Sequence, residues 1–256
     1  MAEAPPVAFR EATPADTPGV LALLERAFQL PSQPERFDWV YARNGVPWQV
    51  PSWVAESEGR IVGYNGSLPV RLWHGGREVR GLYTLEVATD PEFQGRGILT
   101  GLGRKVLEGA AREGVQVVRI FPNLNSAPGF YRKLGYTELA PFPVVARLLG
   151  NLRGPVGARL GALGPVAAVL DGALRAALAP QLAAARRRGA RAGFDVRPLE
   201  GGFGPWADAL WASLREGLGT TTVRDARFLQ WRYDEGPHRY ALLALHRRGD
   251  EARAGR

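Results

Sequence analysis

The sequence predicts an α/β (α+β) fold in which a mixed, mostly antiparallel sheet is flanked by helices. Three apolar stretches over residues 52–90 are separated by the turn signals EGR and HGGR, which is typical of an antiparallel meander. Segments with apolar residues at helical spacing precede this meander and follow it. We therefore expect the element order β-α-α-β-β-β-α-β-α-β over residues 1–148.

The elements on either side of the meander follow from local signals. VAFREAT over 7–13 predicts a strand, TPADTPGVLALLERAF over 13–28 a helix with a Thr or Asp start signal, and PERFDWVYARN over 34–44 a second helix. The later elements are a helix from the GRG turn to about Gly114, a buried strand over 115–121, a short helix over 126–135 and a final strand over 136–149. The apolar stripe of the helix after GRG consists of Leu99, Leu102, Val106 and Ala110.

The remainder of the chain divides into two parts. Residues 149–193 are rich in Ala, Leu, Gly and Arg, and we expect a helical linker of short helices. Its expected helix breakers are Pro155, Pro165 and Pro180. Residues 194–256 repeat the opening order β-α-α-β, with Trp231-Arg-Tyr233 in place of Trp39-Val-Tyr41. Such a short piece buries little surface alone, so we expect it to pack on the first domain or on another chain.

Composition excludes several classes of site. The chain has no cysteine, which excludes disulfides, thiolate zinc sites and cysteine nucleophiles. His74, His238 and His246 show no ligand spacing, so we expect no metal. The net charge of +8 suits an anionic ligand, nucleic acid or a membrane surface. The arginine-rich run ARRRGARAG lacks interleaved aromatics, however, and predicts a solvated linker face rather than a nucleic-acid site.

Hydropathy predicts a cytoplasmic protein with no membrane span. No apolar stretch reaches about 18 residues, and MAEAPPVAF lacks a basic region followed by an apolar core. A homo-oligomer is left open by the sequence.

The stretch DPEFQGRGILTGLGRKVL over 90–107 places a glycine-containing turn directly before a helix. Free N–H groups at a helix start bind phosphate, assisted by the helix dipole. Gly95 and Gly97 would let a ligand approach the main chain, and Arg96 adds a positive charge. A Walker loop is excluded because no Gly-Lys-Ser/Thr follows, and the three glycines of the Rossmann pattern are missing.

Two motifs in this region resemble those of a known superfamily. VATDPEFQGRGIL resembles the acyl-CoA signature of the GNAT N-acyltransferases, Gln/Arg-x-x-Gly-x-Gly/Ala, except that Leu99 stands where Gly or Ala is usual. NSAPGFYRKLGY resembles the second GNAT signature, and the resemblance covers residues 7–148. Phrases like FPN-x-NS-x-PGF and FLxWRY are similar to those of the Eis-related branch, which has a second GNAT-like half. The resemblance implies the GNAT fold followed by a partial second GNAT-like unit.

The resemblance also implies a binding site for acetyl-CoA as acyl donor. The main chain of Val87, Ala88 and Thr89 would pair with the pantetheine arm. Asn123 or Asn125 would hydrogen-bond that arm, with turn formation as the alternative role of each. The residues implied for the pyrophosphate are Gln94, Gly95, Arg96, Gly97, Ile98, Leu99 and Thr100.

Acyl transfer to an amine also requires groups that move protons. Tyr131 is the candidate general acid for the departing thiolate, and its alternative role is packing on the last strand. Glu86 is the candidate general base, and its alternative role is that of a paired structural charge. Candidates for the acceptor pocket are Trp39, Tyr41, Tyr64 and Asn65, with core packing as the alternative for Trp39.

The sequence therefore predicts an N-acetyltransferase acting on a small-molecule or peptide amine by direct attack. Two alternatives from other classes stay open at this point. One is a non-catalytic acyl-CoA-binding regulatory or interaction module. The other is an arginine-rich nucleic-acid-binding protein, whose affinity would fall steeply with salt.

Overall fold

The computed structural model describes residues 5–139 and 164–247. The strands are β1 Ala8–Glu11, β2 Trp53–Ser57, β3 Arg60–His74, β4 Arg77–Thr89, β5 Val117–Arg119, β6 Phe194–Pro198, β7 Thr221–Thr222 and β8 Leu243–Arg247. The helices are α1 Thr17–Phe28, α2 Pro34–Tyr41, α3 Ile98–Arg112, α4 Ala127–Lys133, α5 Gly164–Arg191, α6 Pro205–Leu214 and α7 Ala226–Tyr233. The chain divides into two compact units, one of residues 1–139 and 201–240 and one of 140–200 and 241–256.

The first unit is built on one mixed sheet in the order β1-β2-β3-β4-β5, with β7 paired to β3. The four strands β1 to β4 are antiparallel neighbours. β5 is parallel to β4, because α3 carries the chain back across the sheet. This confirms the predicted mixed, mostly antiparallel sheet.

Helices cover both faces of this sheet. The α3 side chains Leu102 and Val106 pack with Val62 of β3 in one buried cluster. Leu23 of α1 packs with Ile61, the neighbour of Val62, in another cluster. Successive strand residues point to opposite faces, so α1 and α3 lie on opposite sides of the sheet.

The apolar stripe of α3 differs from the prediction by one residue. Ile98, not Leu99, begins the buried row that continues through Leu102, Val106 and Ala110. Leu99 is half-buried and points toward α4, where a Cβ added at Gly129 would lie 2.9 Å from Leu99 Cδ2. Leu99 therefore lies outside the buried row because it makes an apolar contact with α4.

Residues 201–240 pack on the amino-terminal part of the first unit. Trp231 of α7 stacks on Trp39 of α2, with ring centroids 4.7 Å apart. Trp211 of α6 meets Trp73 of β3 edge to face at 6.5 Å. The elements predicted for 194–256 are present in their order β-α-α-β, with the short β7 between the two helices. The two helices belong to the first unit and β6 and β8 to the second, so a separate GNAT-like module remains a proposal.

The described part of the second unit contains one long helix and a two-stranded antiparallel sheet. β6 and β8 pair with Phe194 opposite Arg247. α5 runs without a break from Gly164 to Arg191 through Pro180, so the prediction that Pro180 breaks it is wrong. Proline in a helix costs about 3 kcal/mol, but α5 is rich in Ala and Leu, which have high helix propensity. Pro155 and residues 140–149 of the predicted final strand lie outside the described residues, and residues 136–139 form no strand.

Candidate active site

Among the described residues, one edge of β4 has no strand partner along its carboxyl-terminal half. β4 extends to Thr89, but β5 pairs only with Gly81 to Tyr83. The strand predicted over 115–121 is shorter than expected, because within the described residues β4 and β5 pair at three positions only. Residues 84–89 thus present main-chain N–H and C=O groups to any extended ligand beside them.

A β-bulge interrupts the opposite edge of β4 at the same level. Tyr64 pairs with Ala88 and Gly66 with Leu85, so Glu86 and Val87 together oppose a single residue of β3. Glu86 has φ +53°, a conformation that side chains other than glycine rarely adopt. Bulges re-aim side chains, and strained residues concentrate at functional sites. The bulge therefore supports the sequence-based choice of Glu86 as a functional residue.

Both carboxylate oxygens of Glu86 are held by α2. Arg36 forms an ion pair with Oε1, and the Tyr41 hydroxyl donates to Oε2 at 2.9 Å. Burial, followed by interactions with Tyr64 and with the Glu86 charge, raises the pKa of Tyr41 well above its ordinary value, so this hydroxyl stays protonated as the donor. Arg36 was missed in the sequence because it lies 50 residues from Glu86, with no local spacing to connect them.

The predicted acceptor-pocket residues separate into two groups. Tyr41 lies 6.1 Å from Tyr64, ring centroid to centroid, next to the bulge. Tyr64 and Asn65 are 1% and 0% exposed, so they offer no surface to an acceptor. Trp39 is 4% exposed within the stack on Trp231, as its core-packing alternative requires.

The turn after β4 opens toward solvent. Gly95 and Gly97 have φ +79° and +78°, and a Cβ at either position would meet nothing within 4 Å. Gly97 precedes α3, and the Gly101 N–H donates to its carbonyl at 2.9 Å. The N–H groups of the first helical residues, Ile98 to Thr100, therefore lie at the open positive end of the helix. Arg96 lies over the Phe93 ring at 4.6 Å, with its guanidinium beside this opening.

Asp90 anchors the turn to the sheet. Its side chain is 1% exposed and accepts from Arg26 at 3.1 Å and from Arg60 at 2.5 Å. Burial alone would raise the pKa of Asp90, but hydrogen bonds from Arg60, the Glu92 N–H and Arg26 lower it on balance. From its place in the sequence, Asp90 could be identified only as the end of a strand, and the two arginines carry no pattern that relates them to it.

Tyr131 lies on α4, whose start is shaped by Asn123. The Asn123 Oδ1 accepts from the N–H groups of Asn125 at 3.1 Å and Ser126 at 2.9 Å. Asn123 thus has the turn-forming role that was its alternative. Tyr131 is half-buried, and its helix packs through Gly129 on Leu99. The structure therefore places the Tyr131 helix against the amino-terminal turn of α3.

These features fit acetyl-CoA. An open helix start suits a pyrophosphate, and an unpaired strand edge leading away from it suits an extended, amide-containing arm. Within residues 5–139 and 164–247, no group of three His, Asp or Glu side chains is placed to hold a metal ion. None of the helices in these ranges combines the length and apolar character needed to cross a membrane.

Comparison with known proteins points to one family. The profile of the acetyltransferase (GNAT) domain matches residues 8–139. Human N-acetyltransferase 8B is 40% identical over 104 residues, which are 38% of this chain and 44% of that protein. Rat N-acetyltransferase family 8 member 2 is 34% identical over 102 residues, with the same two shares of 38% and 44%. The chain thus spans less than half the length of these curated relatives.

Two solved structures are also similar to part of this chain. A GNAT family acetyltransferase from Brucella melitensis in complex with acetyl-CoA is 25% identical, with a TM-score of 0.42 over 56% of this chain and 92% of that one. A Trypanosoma brucei acetyltransferase is 21% identical, with a TM-score of 0.45 over 56% of this chain and all of that one.

Proposed function

The chain belongs to the GNAT acetyltransferase family, and we propose that it transfers an acetyl group from acetyl-CoA to a primary amine by direct attack. The observation that carries this proposal is the unpaired edge of β4, which leads from the Glu86 bulge to the open start of α3. That edge and that helix end offer main-chain donors in a continuous row. The acceptor is a small-molecule or peptide amine.

The donor-binding residues follow from this row. The amides from Gly95 to Thr100, with Gln94 and Arg96 beside them, would bind the pyrophosphate. The main chain of Val87 to Thr89 would pair with the pantetheine arm as an added strand does. Asn125 has an exposed side chain on the turn before α4 and would hydrogen-bond the same arm.

Glu86 would take up the proton that the acceptor amine must lose. An amine of pKa about 10.4 requires roughly 4.6 kcal/mol to be deprotonated at pH 7. Glu86 accepts that proton directly or through water while Arg36 and Tyr41 fix its orientation. In this role Arg36 and Tyr41 position the carboxylate and do not themselves react.

Polarisation of the thioester carbonyl and departure of the CoA thiolate would depend on the β4 main chain and on Tyr131. Acetyl-CoA supplies an acetyl group activated as a thioester. An N–H from the Val87–Thr89 segment polarises the carbonyl oxygen as the amine attacks. Tyr131 donates a proton or a hydrogen bond to the sulfur as the carbon–sulfur bond breaks.

A thermal melt with and without acetyl-CoA tests the donor site. A ligand at about 100 times its Kd adds roughly 2.7 kcal/mol, which is on the order of 5–10 °C for a protein of this size. We expect that shift in the wild type and its loss in Gly97→Val. Gly59→Val is the matched control, because Gly59 has φ +75° and nothing within 4 Å, in the turn between β2 and β3. No shift in the wild type at millimolar acetyl-CoA would contradict the donor site.

A further inference from the structure

We propose that the acceptor amine carries an anionic group, a carboxylate or a phosphate, which Arg119 binds with help from Arg224. This inference rests on the proposed function, because it describes the acceptor of that same site. It concerns the end of β5, where the edge of β4 becomes unpaired.

Arg119 is a half-buried cation, and no carboxylate within residues 5–139 and 164–247 pairs with it. Its guanidinium lies 3.9 Å over the Tyr83 ring and donates to the Thr222 hydroxyl at 2.5 Å. Its Nε is buried and has no hydrogen-bond partner among the described residues. A buried donor without a partner is costly, so a ligand oxygen that reached this N–H would remove that cost.

Other arginines on the same sheet are arranged differently. Arg10 pairs with both Asp16 and Glu56. Arg71 pairs with both Glu78 and Asp225.

Arg60 likewise pairs with two carboxylates, those of Asp90 and Glu92. Arg77 and Arg80 of β4 are exposed and donate to the Gln116 side chain and to the Glu113 carbonyl. Arg119 differs from all of these arginines because it is half-buried and its polar contacts are a hydroxyl and an aromatic face.

The remaining chain offers few acids that could pair with it. Residues 140–163, which follow the second GNAT-like motif, contain no Asp or Glu at all. The acidic residues outside the described ranges are Glu3, Asp250 and Glu251. Arg224 adds a second positive charge near Arg119. Burial lowers the pKa of Arg119 most, Tyr83 raises it, and the positive charge of Arg224 lowers it further. An anion would compensate both charges.

This position is on the acceptor side of the bulge. The Arg119 guanidinium lies over the ring of Tyr83. Tyr83 precedes Glu86 by three residues of β4, which is about 10 Å along the strand. Tyr83 packs in the same cluster as Tyr41, whose hydroxyl donates to Glu86. An acceptor with its amine at Glu86 and its anionic end at Arg119 would therefore lie along one face of β4.

The proposal gives residues 201–240 a role in the site. Thr222 belongs to β7, which pairs with β3 through Leu72 and Trp73. That pairing holds the Thr222 hydroxyl against one guanidinium nitrogen and leaves Nε for the ligand. The segment after the linker would thus complete the acceptor pocket.

Matched amine pairs test the anion requirement. Each pair has one anionic and one neutral member of equal length: 4-aminobutyrate with 4-aminobutyramide, 6-aminohexanoate with 6-aminohexanamide, and phosphoethanolamine with its neutral dimethyl ester. We expect kcat/KM to be about 10- to 100-fold higher for the anionic member, the size expected for a hydrogen bond to a charged group. The carboxylate and phosphate arms identify which anion is preferred.

Variants locate the preference at Arg119. Arg119→Gln should reduce the anionic-to-neutral ratio at least tenfold, mainly through KM. Arg77→Gln is the matched control, because Arg77 is an exposed residue of β4 that donates to the Gln116 side chain. Equal kcat/KM within each wild-type pair, or equal loss of the ratio in both variants, would overturn the proposal.

A binding measurement separates this proposal from the proposed function. If acetyl-CoA binds and no amine is acetylated, the proposed function fails, and the anion site is examined alone. Wild type and Arg119→Gln are then titrated with succinate, succinamide and inorganic phosphate. NMR of the backbone amides around Tyr83 shows whether an anion binds there. Shifts with an anion that vanish in Arg119→Gln support the site, and identical shifts in both proteins overturn it.

Discussion

The Tyr41 hydroxyl reaches the Glu86 carboxylate, at 2.9 Å, through space that exists only because residue 66 is glycine. A Cβ at Gly66 would lie 2.0 Å from the Tyr41 hydroxyl oxygen and 2.9 Å from the Leu85 carbonyl oxygen. Gly66 is also the β3 residue opposite Leu85, immediately before the bulge. The orientation of Glu86 thus depends on a close approach between α2 and β3.

Gly66→Ala should displace Tyr41 and lower kcat about tenfold, with little change in the Kd for acetyl-CoA. The physical reason is that Tyr41 then loses its hydrogen bond to Glu86, worth about 1.5–3 kcal/mol to a charged group. Tyr41→Phe is the companion variant, because it removes the hydroxyl without the steric conflict. Steady-state kinetics on both variants make the comparison. Wild-type kcat in Tyr41→Phe would show that this contact does not serve the reaction.

Glu86→Gln should lower kcat/KM by about 10²- to 10⁴-fold, the range for loss of a general base, while acetyl-CoA still binds. Raising the pH should restore part of the rate, because more of the amine is then already deprotonated. The control is Glu92→Gln, which removes an exposed carboxylate at the turn. A pH–rate profile that superimposes on that of the wild type would leave Glu86 with its alternative role as a paired charge.

Trp231→Ala should lower the free energy of unfolding by about 3–5 kcal/mol, as for other large-to-small changes in a core. The Trp39 Nε1–H donates to the Trp231 carbonyl at 3.0 Å, so the stack is joined by a buried hydrogen bond as well. Trp206→Ala is the control, since Trp206 is 45% exposed. Urea denaturation measures the free energy of unfolding of both variants. Equal losses of stability in the two would mean that residues 201–240 are not anchored through Trp231.

Asp90→Asn should destabilise the protein at pH 7 by about 1–3 kcal/mol, because Arg26 and Arg60 lose the negative charge of their buried partner and keep only an amide oxygen as acceptor. The folded pKa of Asp90 is lowered, so its stabilisation is complete above the unfolded pKa near 3.9 and disappears as the pH falls through the folded pKa. The difference between wild type and variant should therefore shrink below about pH 4. Urea denaturation at pH 7 and pH 3 measures this difference in the free energy of unfolding, and Glu108→Gln, at an exposed position, is the control. A difference that does not change with pH would contradict the ion-pair account.

The regular elements were accessible to prediction where one physical period dominates. Apolar stretches over 52–90, separated by the turn signals EGR and HGGR, predicted the meander, and the helix after GRG was expected to end near Gly114 and ends at Arg112. Prediction failed where the preference of a single residue was outweighed by the preferences of its neighbours. Proline disfavours helix, yet α5 continues through Pro180 because its Ala and Leu residues outweigh one lost hydrogen bond.

The site was accessible only in part, for a related reason. The residues of the GRG turn are contiguous, so a motif could identify them. Glu86 was chosen from its place on a strand, but its φ of +53° and its partner Arg36 depend on tertiary contacts between α2 and β4. Arg119 carries no motif at all, and only the assembled sheet shows that no carboxylate in the described part of the chain pairs with it.

Amine-dependent release of CoA tests the central claim most directly. The chain has no cysteine, so a thiol reagent reports CoA without a protein background. With acetyl-CoA and a panel of primary amines, we predict thiol release that requires an amine and equals the acetylated product found by mass spectrometry. Saturable binding of acetyl-CoA, with no amine-dependent release across the panel, would contradict the account and favour a non-catalytic acyl-CoA-binding module.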